Sequence, residues 1–117
     1  MQVINQTRNF NLAEQIEECR TFWRRLVGGS GRVSPPAGHG WYIAPCRAVH
    51  TLGMRVAIDA VYLSAQGRVL RIVRLEPWRL GPWVREARGV LELPADSCTP
   101  QTCQVGDCLQ TNSGKGW

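Results

Sequence analysis

The residues best suited to chemistry in this sequence are Cys46 and His50, a C-x3-H pair in a short irregular stretch. Thiolate and imidazole are donors that zinc and copper favour. Two donors do not complete a site, so metal binding needs further ligands, such as His39, Asp59 or a C-terminal cysteine. The same pair could act as nucleophile and base in a small hydrolase-like enzyme. That role needs a thiol pKa lowered by a cation or a helix N-terminus, and an oxyanion hole. Arg47 supplies a cation, but Pro45 and the next strand bracket Cys46, and no helix N-terminus follows it. The plainer reading makes Cys46 a small buried apolar residue and His50 a partner for loop backbone. No catalytic signature stands out, and the chain reads as non-enzymatic.

Three further groups bear on function. Cys98, Cys103 and Cys108 lie at C-x4-C-x4-C, wider than the usual zinc pairs. They read as free thiols, and a Cys98–Cys103 disulfide would need an oxidising compartment. Asp59 stands inside an apolar strand, where an isolated carboxylate is costly. It calls for a partner, Arg71 across the hairpin or Arg55 along the strand, or serves as an anchor for the His50 loop. Trp41, Trp78 and Trp83, with Arg79 and Arg85, could form a shallow aromatic and basic surface. Such surfaces take single-stranded nucleic acid, peptides or sugars. The alternative is that these tryptophans pack in core and loops.

The elements that must position these groups follow from the totals and the patterning. A chain of 117 residues is one domain by size, with 44% apolar and 20% charged residues as in an ordinary soluble globule. The formal charge is +5, and Lys115 is the one lysine among 14 basic residues. The arginines are scattered rather than clustered, so nucleic acid is not the favoured partner. Nothing resembles a leader peptide, and no stretch approaches the roughly 20 apolar residues of a membrane-spanning helix. A reduced, cytoplasmic protein without membrane insertion is expected.

Val3, Ile4 and Thr7 suggest a first strand. Asn11 and Glu14 form a capping-box pattern ahead of a helix from Leu12 to about Val27, its stripe made by Leu12, Ile16, Cys19, Trp23 and Leu26. Ser30 to Gly40 is loop, and Trp41 to Ile43 a short strand. Arg55 to Leu63 and Arg68 to Leu75 form a hairpin about Ser64–Gly67, with Val61 placed opposite Arg71 and Asp59 opposite Val73. In that register Val61, Leu63, Val69 and Val73 line one face, and Val56, Ile58, Leu70 and Ile72 the other. A hairpin apolar on both faces belongs in the middle of a sandwich or barrel, or between a sheet and a helix. Gly89 to Leu93 and a short stretch after Leu109 complete the strands. The expected fold is a mainly β, sandwich or jelly-roll-like or barrel-like domain over residues 1–110, with one main amphipathic helix. Residues 111–117 read as a flexible tail.

Several blocks resemble the domain of unknown function 192 family, a group of small prokaryotic proteins. They are Arg25-Leu26, the run IAPCRAVHTLGMRVAIDAVYL from Ile43 to Leu63, Gly67-Arg68-Val69, Glu76-Pro77-Trp78, VLELPA from Val90 to Ala95, and Val105-Gly106-Asp107. Two departures stand out. Asp96 occupies a place where the family usually has glycine, and SCTPQTC adds Cys98 and Cys103. The resemblance implies a compact, mainly β domain and no established activity. The functional expectation is a small β domain that binds a partner or small ligand near the His50 loop. Its candidate binding residues are His50, Thr51, Met54, Arg55, Asp59 and Trp78. No cofactor is expected, with zinc or copper at Cys46 and His50 as the alternative.

Overall fold

The computed structural model describes residues 2–19, 35–52 and 54–111. Among the described residues eight strands run in order: β1 (Val3–Asn5), β2 (Phe10–Ala13), β3 (Gln15–Cys19), β4 (His39–Ile43), β5 (Ile58–Leu63), β6 (Val69–Leu75), β7 (Gly89–Pro94) and β8 (Leu109–Thr111). They form a three-stranded sheet, β2-β1-β8, and a five-stranded sheet, β3-β4-β7-β5-β6. All pairings are antiparallel except β3 with β4. Residues 20–38 separate those two strands, long enough for the crossover that a parallel pair requires.

β5 and β7 lie inside the larger sheet, and their residues are buried on both faces. One face packs on the three-stranded sheet through Val61, Leu63, Tyr42, Leu91 and Leu93 against Val3, Ala13 and Leu109. The other face carries Ile58, Ala60, Tyr62 and Val90, and loops cover it through Val49, Met54 and Ala87. The expected two-faced hairpin therefore sits in a sandwich. The charged Glu17 and Glu18 on β3, and Arg71 and Arg74 on β6, are exposed at the two edges of the larger sheet. Charge there opposes pairing with a second chain.

The helix expected from Leu12 does not form. Leu12 and Ala13 lie in β2, Glu14 bends, and Gln15 to Cys19 form β3; there is no helix among the described residues, and residues 20–27 lie outside them. Leu12 and Ile16 are four apart, a spacing that one face of a strand satisfies as well as one face of a helix. Tertiary pairing then overrides the helix-forming glutamates. The amides of Glu14 and Gln15 both donate to the Gly38 carbonyl, at 2.7 and 3.1 Å, and β3 pairs along β4.

The hairpin closes at Ser64–Gly67, where Gly67 has φ +84°. Its register differs by one residue from expectation. Asp59 faces Arg74, Val61 faces Ile72, and Tyr62 faces Arg71. The slip comes with a bulge between Tyr62 and Leu63, which moves the pairing by one position beyond it. Ile72 therefore packs with Val61, while Val73 joins Leu70 on the opposite face. β5 also starts three residues later than expected, since residues 55 to 57 bend outside the ladder.

A turn-rich segment from Ala95 to Cys108 joins the two sheets. Asp59 of β5 accepts the Cys98 amide at 2.9 Å. Asn5 of β1 donates to the Thr102 carbonyl at 2.9 Å and to Asp107 at 2.8 Å. Arg8 and the Gln104 amide also donate to Asp107, at 2.6 and 2.9 Å. Burial acts to raise the Asp107 carboxyl, but the bonds from Asn5, Gln104 and Arg8 outweigh it and hold the carboxyl below its ordinary range. Thr111, placed in the tail by sequence, is a buried residue of β8; residues 112–117 lie outside the described residues.

Candidate functional site

The loops over the second face of the larger sheet, residues 44–52, 54–57 and 76–88, carry most of the candidate residues. Thr51 is the knot between them, and it is fully buried. Its amide donates to the Arg79 carbonyl at 2.8 Å, and its hydroxyl accepts the Arg79 amide at 2.9 Å. The hydroxyl also donates to the Glu76 carbonyl, and the Thr51 carbonyl accepts the Trp78 and Met54 amides, both at 3.0 Å. His50 bridges to Leu80, and its Nδ1 accepts the Leu52 amide at 3.2 Å.

The Tyr62 hydroxyl reaches up from the sheet and donates to the Pro82 carbonyl at 2.8 Å. Burial pushes its pKa up to about 12. The Gly81 amide donates to the Val49 carbonyl at 2.7 Å. A Cβ at Gly81 would lie 2.8 Å from both that carbonyl and the Tyr62 hydroxyl, so only glycine permits this approach.

The rigid base presents apolar side chains to solvent. Trp78 is 64% exposed, Leu80 74%, Trp83 69% and Leu52 45%. Trp78 is also held at φ +62°, a left-handed conformation that a bulky side chain rarely adopts. Such strain persists only where surrounding bonds over-determine it. Trp41, grouped with these residues by sequence, is instead buried in β4.

Beside this ridge is a cleft of about 730 Å³, lined by Cys46, Arg47, Ala65, Trp83, Arg85 and Arg88, with Glu86 on its wall. The Arg47 guanidinium lies 6.0 Å from the Trp83 ring centre and donates to the Arg85 carbonyl at 2.9 Å. None of Arg47, Arg85 and Arg88 forms an ion pair among the described residues. Backbone bonds fix the walls: Cys46 N to Arg88 O at 3.0 Å, and Val84 N to Arg47 O at 2.9 Å.

The remaining candidates take different places. Met54 is buried in the core under the loops, and Arg55 is exposed at the bend before β5. Asp59 points to the opposite face of the sheet. Its carboxylate accepts Arg74 Nε at 3.0 Å and the Cys98 amide, and Arg74 bridges onward to Asp96. Arg71 and Arg55 are therefore not its partners, and its bonds do not run to the His50 loop. The Cys46 thiol donates to the Ala48 carbonyl at 2.9 Å. Among the described residues no group of three or more His, Cys, Asp or Glu side chains is placed to hold a metal ion.

Sequence reasoning did not single out Leu52, Leu80, Arg88 or Glu92. Glu92 is a carboxylate fully buried at the centre of β7, between Trp41 and Ala60. Leu52 and Leu80 each follow a residue held by cross-loop bonds. Residue type alone carries no signal that a leucine will face water.

Three comparisons place the chain among known proteins. The family model of DUF192, described as an uncharacterized ACR, matches residues 3–111. The UPF0127 protein PF1050 of Pyrococcus furiosus is 35% identical over 65 residues, 56% of this chain and 56% of that protein. The match thus spans little more than half the length of that relative. A Sinorhizobium meliloti 1021 protein proposed as a transcription regulator superposes with a TM-score of 0.74 at 18% identity, covering 93% of this chain and 89% of that one. A Novosphingobium aromaticivorans protein of unknown function gives a TM-score of 0.75 at 17% identity, covering 95% and 84%. At such identities these two structures share the fold and nothing more is carried over. With the family model matching nearly the whole chain, this protein belongs to the DUF192 family.

Proposed function

We propose that this domain is a binding module and that its ligand surface is the loop face formed by residues 46–52, 54–56 and 76–88. The occupant is a segment of a partner protein that is both apolar and acidic. The observation that carries this reading is Trp78: a large aromatic ring 64% exposed, in a strained backbone conformation, on a loop tied down by the buried Thr51. Aromatic anchors and arginine are the residue types that dominate binding energy at interfaces. Leu52, Leu80 and Trp83 extend the apolar surface, and Arg47, Arg55, Arg79, Arg85 and Arg88 surround it with positive charge. The cleft beside Trp83 suits an acidic side chain of the partner.

In this reading the candidate residues divide by role. Arg55 and Trp78 touch the partner. His50, Thr51 and Met54 hold the loops from beneath, and Asp59 secures the sheet from its other face. Peptide display against the purified domain tests the proposal. Enriched peptides should combine acidic with apolar residues, and their binding should weaken as salt rises. Trp78→Ala and Leu80→Ala should each reduce that binding at least about tenfold, as interface anchors do. No enrichment, or binding indifferent to both substitutions, would overturn it. The metal alternative at Cys46 and His50 lacks a third donor among the described residues. Stoichiometric zinc or copper in the purified protein, lost on replacing His50, would favour it instead.

A further inference from the structure

The 97–103 turn brings two cysteines of a separate part of the fold together. Cys103 is buried in the core between the two sheets, and the half-buried Cys98 packs against the same cluster. The turn is closed by its own bonds. The Thr102 and Cys103 amides both donate to the Thr99 carbonyl at 3.0 Å, and the Thr99 amide donates to the Thr102 hydroxyl at 2.8 Å. That hydroxyl donates in turn to the Ser97 carbonyl at 2.7 Å. Folded this way, the six-residue loop brings both thiols to the same core cluster. Both are reduced here.

We propose that Cys98 and Cys103 form an oxidisable dithiol, and that a small disulfide oxidant such as oxidised glutathione converts them to an intramolecular disulfide. The half-buried Cys98 attacks first. Its thiolate bonds to one glutathione sulfur and releases the other half as glutathione thiolate. Cys103 then loses its proton, displaces the second glutathione thiolate from Cys98 and closes the ring. Two protein thiols and one oxidised glutathione become one protein disulfide and two reduced glutathiones.

The turn is also where the sheets meet, since Asp59 holds the Cys98 amide and Asn5 holds the Thr102 carbonyl. A covalent closure there staples the junction in place. The neighbouring Cys103 thiol, together with burial, raises the Cys98 pKa. The thiol is thus mostly protonated near neutrality, and exchange accelerates as pH rises.

The test uses the full chain incubated with oxidised glutathione, then alkylated and digested without reductant. The expected product is two hydrogens lighter, has three alkylatable cysteines of the original five, and yields a peptide linked between Cys98 and Cys103. Its melting temperature should exceed that of the reduced protein by roughly 5–10 °C, as a short closed loop warrants. Cys98→Ser should abolish both the link and the shift. Cys103→Ala should do the same and trap a glutathione adduct on Cys98. Full alkylation of both residues after oxidation, a link between other cysteines, or an unchanged melting temperature overturns the proposal.

Discussion

Thr51 and Arg79 are joined by two backbone-directed bonds, the Thr51 amide to the Arg79 carbonyl and the Arg79 amide to the Thr51 hydroxyl, at 2.8 and 2.9 Å. This pair couples the loop before β5 to the loop after β6, and one buried hydroxyl serves both loops. Thr51→Val keeps the volume and removes the hydroxyl, leaving the Arg79 amide without this acceptor. The expected loss is about 1–3 kcal/mol by denaturant unfolding, with an unchanged m-value. A Thr51→Ser variant, which keeps the hydroxyl, should recover most of it.

Trp78 sits where a glycine backbone would be more comfortable. Truncating a packed tryptophan ordinarily costs about 3–5 kcal/mol. Trp78→Gly should instead leave stability within about 1 kcal/mol of the parent, because little packing is lost and the left-handed strain is relieved. The same substitution should remove peptide binding. Thermal melts set beside anisotropy titrations check the two halves together.

Asp96 has φ +70°, at the position where the resemblance to the family leads one to expect glycine. Its carboxylate is 84% exposed and bridges to Arg74. An exposed ion pair contributes little, while a left-handed non-glycine residue costs up to about 1 kcal/mol or more. Asp96→Gly is therefore expected to stabilise the domain by roughly 0.5–1 kcal/mol. Equal or lower stability in chemical denaturation would show that the bridge outweighs the backbone.

The two tyrosines of the chain are both buried, and burial pushes each pKa from an ordinary value near 10 to about 12. A raised phenol pKa means that the folded state favours the neutral form. The resulting stability is fully present below pH 10 and is lost as pH rises through 12. Absorbance at 295 nm should stay flat near pH 10 in the folded protein and rise only toward pH 12 or with unfolding. Ionisation of either tyrosine near 10 while the fold persists would contradict this.

At the acid end Asp107 behaves in the opposite sense. Its carboxyl is held below the ordinary range, so its contribution is present above the unfolded pKa near 4 and fades as pH falls through the folded value. Asp107→Asn should lower stability at pH 7 by about 2–4 kcal/mol, since Arg8 and two amide donors, those of Asn5 and Gln104, lose a charged acceptor. The difference between variant and parent should shrink below pH 4, as urea titrations across that range would register.

Much of the sheet was legible in the residues. The runs from Ile58, Val69 and Val90 lack breakers, and Gly67 marks the turn between the first two. Burial on both faces followed from apolar residues at successive positions. The register was not legible, because a bulge after Tyr62 has no signature of its own. The helix at Leu12 was misread because an i, i+4 spacing suits both periods over so few residues. Cys46, His50 and Thr51 were rightly placed in one loop region. Which side chains that loop turns outward depends on bonds to a partner loop some 25 residues away in sequence, such as Thr51 to Glu76. No local pattern encodes such a contact.

Asp59 and Asn5 grip the same turn from different sheets. Neither layer of the sandwich can peel away without tearing that shared hinge pin. The slowest-exchanging amides of β1 and β5 should accordingly report one common opening event, and the domain should yield to heat or force as a single piece rather than layer by layer.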